Sequence, residues 1–459
     1  MSLMVSISGI RGIIGDSLTP EVAIKYTAAF AEYCRRISGG PPAIVVGRDG
    51  RSTGSMLSDL VCSTLAAAGA HVRQIGISPT PTVQLAVEKE RAAGGIAITA
   101  SHNPVEWNGL KFLASSGMFL NADENRAFWE IAAGPGTYAR WDRLGSVTTD
   151  ASWLSRHMEM VFALPYLDLE AIRRRKFTVV VDCVNAAGGL IVPEMLERLG
   201  CRVIRENCDV SGVFQHTPEP IPENLVGLAK RVVAERADLG IAVDPDVDRL
   251  VLITEEGKPY VEEYTVASAV QFVLDRELAG GKKHRVVVNL STTRAVDDIA
   301  RARGAEVVRT PVGEINVAKR MQEIGAVIGG EGSGGVILPA VHLGRDAIVG
   351  IGLLLQMLAE FGGTLSALKS TLPQYSIAKG KLQLGGGSPA ALLDRIAATQ
   401  QGKGRVNTDD GVKIDYPDYW IHLRKSNTEP IVRIIAEART AAEASRIVEE
   451  WKKELAQSL

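Results

Sequence analysis

The chain is poor in cysteine, and none of its thiols lies at metal-binding or redox spacing. Five are spread over 459 residues, at Cys34, Cys62, Cys183, Cys201 and Cys208, with no CxxC among them. This argues against a disulfide scaffold or a zinc ribbon and reads as the reduced, mostly structural thiols of a cytoplasmic protein. An excess of one charge is also missing. Fifty-one basic residues face 53 acidic ones, a net of −2, which gives no field to attract nucleic acid or an anionic membrane. No apolar run reaches the ~18 residues of a membrane span. The N-terminus lacks the basic-then-apolar order of a signal peptide. What remains is a globular composition, 46% apolar and 23% charged. The chain is too long for one core, so about two to four domains are expected.

The segments repeat. Three times an apolar β-branched strand opens a series: "PAIVVGRD" (42–49), "KFTVVVDCVN" (176–185) and "HRVVVNLS" (284–291). A helix-length stretch, a glycine and a second strand follow each time. Then come a further helix-length stretch, a third strand and a polar loop: "GGIAITASHNP" (94–104), "DLGIAVDPDVDR" (238–249) and "IGAVIGGEGSGG" (324–335). Short continuous apolar strands alternating with helices predict α/β domains with mainly parallel sheets covered on both faces. Ligands of such sheets bind beyond the carboxyl ends of the strands, where the three loops fall. The remainder, from about residue 371, has paired strands and a polar final helix, which predicts a smaller α+β domain.

Each loop admits a plain reading and a chemical one. Asp244, Asp246 and Asp248 alternate in DPDVDR, so on an extended segment their carboxylates share one side. They are either an acidic surface turn or, since unpaired carboxylates repel, oxygen ligands for Mg²⁺. Apolar runs on both sides favour the metal. Ser101 is either an N-cap of a helix starting near Pro104 or, beside a metal, a phosphoryl acceptor. His102 and Lys111 would then move protons and neutralise charge. A Ser-His-Asp hydrolase is a poor fit, with adjacent Ser and His and no GxSxG. Arg424, Ser426, Asn427, Thr428 and Arg433 in "RKSNTEPIVR" form either a solvated turn or a phosphate clamp. In "GGEGSGG", Glu331 and Ser333 offer an acceptor and a donor for hydroxyl groups. Together these parts suit a phosphorylated sugar.

The motifs "SGIRG" (8–12), "TASHNP", "NGLK" (108–111), the triple-aspartate loop ending in Arg249, "GGEGSGG" and "RKSNTEPIVR" resemble, in order and along the whole chain, the α-D-phosphohexomutase family. The resemblance implies three similar α/β domains and a smaller α+β C-terminal domain around a central cleft. The expected domains are 1–150 (phosphoserine), 151–256 (metal), 257–370 (sugar recognition) and 371–459 (phosphate binding). It further implies that Ser101 carries the phosphoryl group. One Mg²⁺ would be held by that phosphoryl oxygen with Asp244, Asp246 and Asp248. Arg11 and Arg249 would steady the transferring group, and Lys111 would act in acid/base chemistry. Glu331 and Ser333 would read sugar hydroxyls, and residues 424–428 with Arg433 would hold the second phosphate. A hexose 1,6-bisphosphate would be both intermediate and activator. The partner is a small sugar phosphate, with no nucleic acid or membrane, for a monomer or homodimer.

Within the family, Gly335 and Glu314 stand where many phosphomannomutase/phosphoglucomutase enzymes have histidine, and Ser291 where they have lysine. Pro245 stands in the metal loop where glycine is commonest. These loops lean toward phosphoglucosamine mutase, with phosphomannomutase/phosphoglucomutase as the alternative. A non-catalytic sugar-phosphate sensor and a metal phosphatase are the competing classes. The intact charge cluster argues against the first, and the second phosphate clamp against the other.

Overall fold

A computed structural model describes residues 3–277, 283–383, 388–425 and 431–457. The three opening strands become Ala43–Arg48, Thr178–Asp182 and Arg285–Asn289, each the middle of a parallel trio. In each trio the second strand (His71–Ile77, Arg202–Glu206, Glu306–Thr310) lies on one side and the third (Gly94–Ile98, Leu239–Val243, Ile328–Glu331) on the other. The repeat in sequence is thus a repeat in topology. The sheets are mixed, because antiparallel strands extend the first two trios. Trp107–Ala114 runs back along Gly94–Ile98, and Leu250–Thr254 along Leu239–Val243. The last sheet is antiparallel, in the order Ser376–Gln383, Ile431–Ala438, Trp420–Lys425, Val412–Asp415, Arg405–Asn407.

The chain divides into two units, residues 1–265 with 334–369, and 266–333 with 370–459. In the first unit the strand Trp107–Ala114 is buried throughout. Alternation sends Leu110 and Phe112 into a core with Phe30 and Phe128, where the Phe112 and Phe128 rings are 4.6 Å apart. Lys111, between them, points to the opposite face. Burying each such aromatic contributes about 1.5–3 kcal/mol, so the core fixes the register that aims Lys111. Local signals also match. The helix Pro20–Ser38 starts on the Thr19 cap with proline at its first position and ends on Gly39 at φ +70°, a left-handed residue that glycine adopts without strain.

In the second unit, Lys413 is buried inside the antiparallel sheet. Its Nζ lies 3.3 Å from Asp415 and 4.9 Å from the Trp420 ring centre. Burial, then Arg309, pushes its pKa from 10.5 down to about 7. The sign follows from linkage. Between those two values the unfolded chain binds the extra proton, so stability rises with pH. The rise shows from pH 7 to about 8.5, above which thiols ionise in the unfolded chain and oppose it. In chemical denaturation, Lys413→Met removes this slope. Equal slopes for the two proteins would refute the assignment.

Candidate active site

Ser101 sits in a loop held from beneath by a buried arginine. The loop backbone is left-handed at Ser101, φ +50°, a conformation that costs an L-residue roughly 1–2 kcal/mol. Arg51 opposes that cost. Its Nη2 donates to the carbonyls of Ser101 and Asn103, both at 2.6 Å, and its Nη1 to those of Pro104 (2.7 Å) and Trp107 (2.9 Å). Asp49 accepts from Arg51 Nε at 3.2 Å and from Thr99 Oγ1 at 2.6 Å. Thr99 Oγ1 in turn accepts from the Ser101 amide at 2.9 Å. No helix starts at Pro104. The next element is the strand Trp107–Ala114, so the helix-cap reading of Ser101 is wrong. Four carbonyls on one guanidinium keep the loop coiled until that strand begins.

The aspartates converge by a different geometry from the one expected. DPDVDR is not extended. Val247 N donates to Asp244 O at 3.0 Å and Val247 is left-handed, φ +61°. Asp244 Oδ1 closes the turn by accepting from the amides of Asp248 (3.1 Å) and Arg249 (3.2 Å). A carboxylate oxygen from each aspartate falls within 4.8 Å of the others, and all three residues are fully buried.

Asp246 and Asp248 each give one oxygen to protein donors, and Asp244 gives both. Asp246 Oδ2 accepts from Lys111 Nζ (2.6 Å) and Thr80 Oγ1 (2.5 Å). Asp248 Oδ2 accepts from Arg345 Nη2 at 2.5 Å. The other oxygens, Asp246 Oδ1 and Asp248 Oδ1, are buried with no hydrogen-bond partner among the described residues, a costly state for a carboxylate. Asp244 Oδ2 meets Ser101 Oγ at 3.2 Å. With no cation, burial followed by repulsion from Asp248 and Asp246 pushes the Asp244 carboxyl well above its usual range. Burial opposes ionisation of Asp246 too, but Lys111, Thr80 and Arg11 outweigh it and hold that carboxyl below the usual range. An all-oxygen set with two orphaned carboxylate oxygens fits Mg²⁺.

The remaining candidates of this unit gather here. His102 Nδ1 lies 3.2 Å from Ser101 Oγ. Burial, then Arg249 and Arg11, pushes its pKa down to about 2, so the ring is neutral at ordinary pH. Arg249 Nε is 3.7 Å from Asp248 Oδ1 and 4.0 Å from Asp244 Oδ2. Arg11 Nη1 donates to Asn103 Oδ1 at 3.2 Å, within the field of Asp246 and Asp248.

Arg51, Thr80 and Arg345 were missed in the sequence. One "GRD" run (344–346) contains Arg345 and another (47–49) ends two residues before Arg51, but neither points to the contacts those two arginines make. Arg345 is fixed by its neighbour. Asp346 caps the helix Ala347–Phe361 and accepts from His157 Nε2 (2.7 Å) and His342 Nε2 (3.0 Å). Arg345 also explains Gly335, since a Cβ there would lie 2.3 Å from Arg345 Cδ.

The second unit holds the other candidates. Glu331 Oε1 accepts from Asn289 Nδ2 and the Gly313 amide, both at 2.8 Å, and the Gly332 amide donates to Thr292 Oγ1 at 3.1 Å. Ser333 follows in the same loop, partly exposed. Ser291 Oγ is held 2.8 Å from His422 Nδ1. Arg424 and Arg433 are direct cross-strand partners, so their side chains share one face. Like charges so placed repel unless an anion joins them. Asp410, 2.9 Å from Arg424, balances one. Ser426, Asn427 and Thr428 lie outside the described residues.

Known proteins carry the same architecture. Models of the phosphoglucomutase/phosphomannomutase α/β/α domains I, II and III match residues 4–137, 155–257 and 262–375, and the C-terminal domain model matches 381–454. The chain belongs to this family. It is 38% identical over 454 residues to a phosphoglucomutase/phosphomannomutase of Thermococcus kodakarensis, covering 98% of each chain. It is 36% identical to a "probable phosphoglucosamine mutase" of Methanopyrus kandleri, over 97% of this chain and 96% of the other. A solved phosphoglucomutase/phosphomannomutase family protein of Burkholderia thailandensis superposes with a TM-score of 0.85 at 28% identity, over 99% and 98% of the two chains. The protein is therefore a four-domain phosphohexomutase, an isomerase that works by phosphoryl transfer. Among the described residues no helix is long and apolar enough to cross a membrane.

Proposed function

We propose that this phosphohexomutase interconverts glucosamine 6-phosphate and glucosamine 1-phosphate through a phosphoserine at Ser101 and a 1,6-bisphosphate. The observation that carries the mechanism is Ser101 Oγ against Asp244 Oδ2, in a buried triad with two orphaned carboxylate oxygens. On this reading residues 1–150 carry the phosphoserine, 151–256 the metal loop, 257–370 the sugar readers and 371–459 the phosphate clamp.

In the first step the phosphorus–oxygen bond to Ser101 breaks as a bond to the sugar O1 forms. Lys111 enters this step as the neutral amine and takes the O1 proton, and Asp246, 2.6 Å away, steadies the ammonium that results. In the second step the 6-phosphoryl group returns to Ser101, and O6 takes the proton back. Arg11 and Arg249 neutralise the group in transit. Arg424 and Arg433, with residues 426–428, hold the phosphate that is not reacting, so the bisphosphate can turn over without being lost to water. A hexose 1,6-bisphosphate from solution restores the phosphoserine when it is lost. One Mg²⁺ on Asp244, Asp246, Asp248 and a phosphoryl oxygen would supply further charge stabilisation.

The sugar preference rests on Gly335. The histidine that many phosphomannomutase/phosphoglucomutase relatives have there would collide with Arg345. A methyl- or hydroxyl-sized difference in a pocket shifts discrimination by about 10–200-fold. Comparing kcat/KM for glucosamine, mannose and glucose 6-phosphates, each with its 1,6-bisphosphate, should give glucosamine at least a tenfold advantage. A mannose or glucose preference would establish the alternative substrate, which the relative named phosphoglucomutase/phosphomannomutase favours.

A further inference from the structure

The second unit contains a cavity of about 750 Å³ that shares no residue with the candidate site above. It is walled by the segment 290–320 and by residues of 375–439. Ligand pockets typically span about 300–1,000 Å³, so its size suits a nucleotide.

Its charges do not balance once partners are assigned. Every carboxylate on its wall is already engaged. Asp297 accepts from Arg309 at 2.5 Å. Asp298 takes Arg301 (2.9 Å) on one oxygen and the Tyr375 hydroxyl (2.6 Å) on the other. Asp415 lies 3.3 Å from Lys413 and 3.7 Å from Arg294. Glu306 lies 3.7 Å from Arg285 and 3.8 Å from Lys283. Two guanidiniums on the wall, Arg405 and Arg439, have no carboxylate within 4.0 Å among the described residues, and both are exposed. Arg439 stacks 4.3 Å from the Tyr375 ring centre. That contact holds its plane but leaves its charge uncompensated.

We propose that this cavity binds a phosphate-bearing ligand, with Arg405 and Arg439 as its anion anchors. Guanidinium forks match phosphate oxygens pairwise. Tyr416, stacked on Tyr419 at 4.5 Å, gives the same wall a flat aromatic surface for a ring attached to the phosphate. Because the two walls come from segments far apart in sequence, an occupant would also tie the C-terminal sheet to the strand Glu306–Thr310.

Isothermal calorimetry with inorganic pyrophosphate and with uridine diphosphate tests this on the wild type and on a cavity variant, both of which have the same catalytic site. Both probes should bind the wild type. Arg405→Glu/Arg439→Glu should weaken both at least tenfold while mutase kcat/KM stays within about twofold. Tighter binding of uridine diphosphate identifies a nucleotide as the ligand, and equal binding identifies phosphate alone. No binding at millimolar probe, or equal affinity in the variant, overturns the proposal. If the double variant fails to fold, Arg405→Gln/Arg439→Gln removes the charges alone and is held to the same criteria. The cavity's occupancy does not depend on which hexose phosphate the enzyme prefers.

Discussion

Replacing Ser101 by alanine lowers kcat/KM by about 10⁴-fold or more, because the covalent route through the enzyme is closed. The fold survives. Alanine meets the same left-handed backbone as serine, φ +50°, and the four carbonyl contacts of Arg51 that hold the loop are untouched. The side chain loses only its contacts to Asp244 and His102, each 3.2 Å, so stability should change by no more than about 1 kcal/mol. Steady-state assay, thermal unfolding and peptide mass mapping check this together. Wild-type protein treated with glucose 1,6-bisphosphate should carry one phosphoryl group on Ser101, and the variant none. A Ser101→Ala enzyme of normal activity would sink the phosphoserine mechanism.

Asp244→Asn should move activity and metal-free stability in opposite directions. The triad is buried, and without a cation both burial and its two neighbours penalise the Asp244 charge. Asparagine removes that charge and keeps an oxygen to accept from the amides of Asp248 and Arg249. In chelator the variant should therefore unfold at the same or a higher temperature than the wild type. With magnesium the order reverses. A ligand at 100 times its Kd stabilises by about 2.7 kcal/mol, and most of that increment is lost with the charged ligand. Activity should fall by about 10³-fold. Full retention of both activity and magnesium-induced stabilisation would falsify the triad as the cation site.

The legible features were local ones. β-branched runs such as Val179-Val180-Val181 mark strands whatever surrounds them, and three such series gave the three trios. Asp244, Asp246 and Asp248 were visible because one turn brings them together. Even there the geometry was misjudged, since alternation suggested an extended segment and the chain instead turns through a left-handed Val247.

What stayed hidden depends on chain crossings. Thr80 reaches Asp246 across 166 positions and Arg345 reaches Asp248 across 97, while Arg51 supports Ser101 from 50 positions away. Nothing within a few residues of Thr80, Arg345 or Arg51 announces those contacts. By itself the sequence determined the succession of strands and helices, the α/β class of the domains and the family. The tertiary structure alone decided which aspartate oxygens are taken by protein donors and that Asp246 Oδ1 and Asp248 Oδ1 have no hydrogen-bond partner among the described residues. It also decided that Arg345 fills the space beside Gly335. Periodicity and turn chemistry act over a few residues, whereas the occupancy of a buried carboxylate oxygen depends on donors that only folding brings within hydrogen-bond distance.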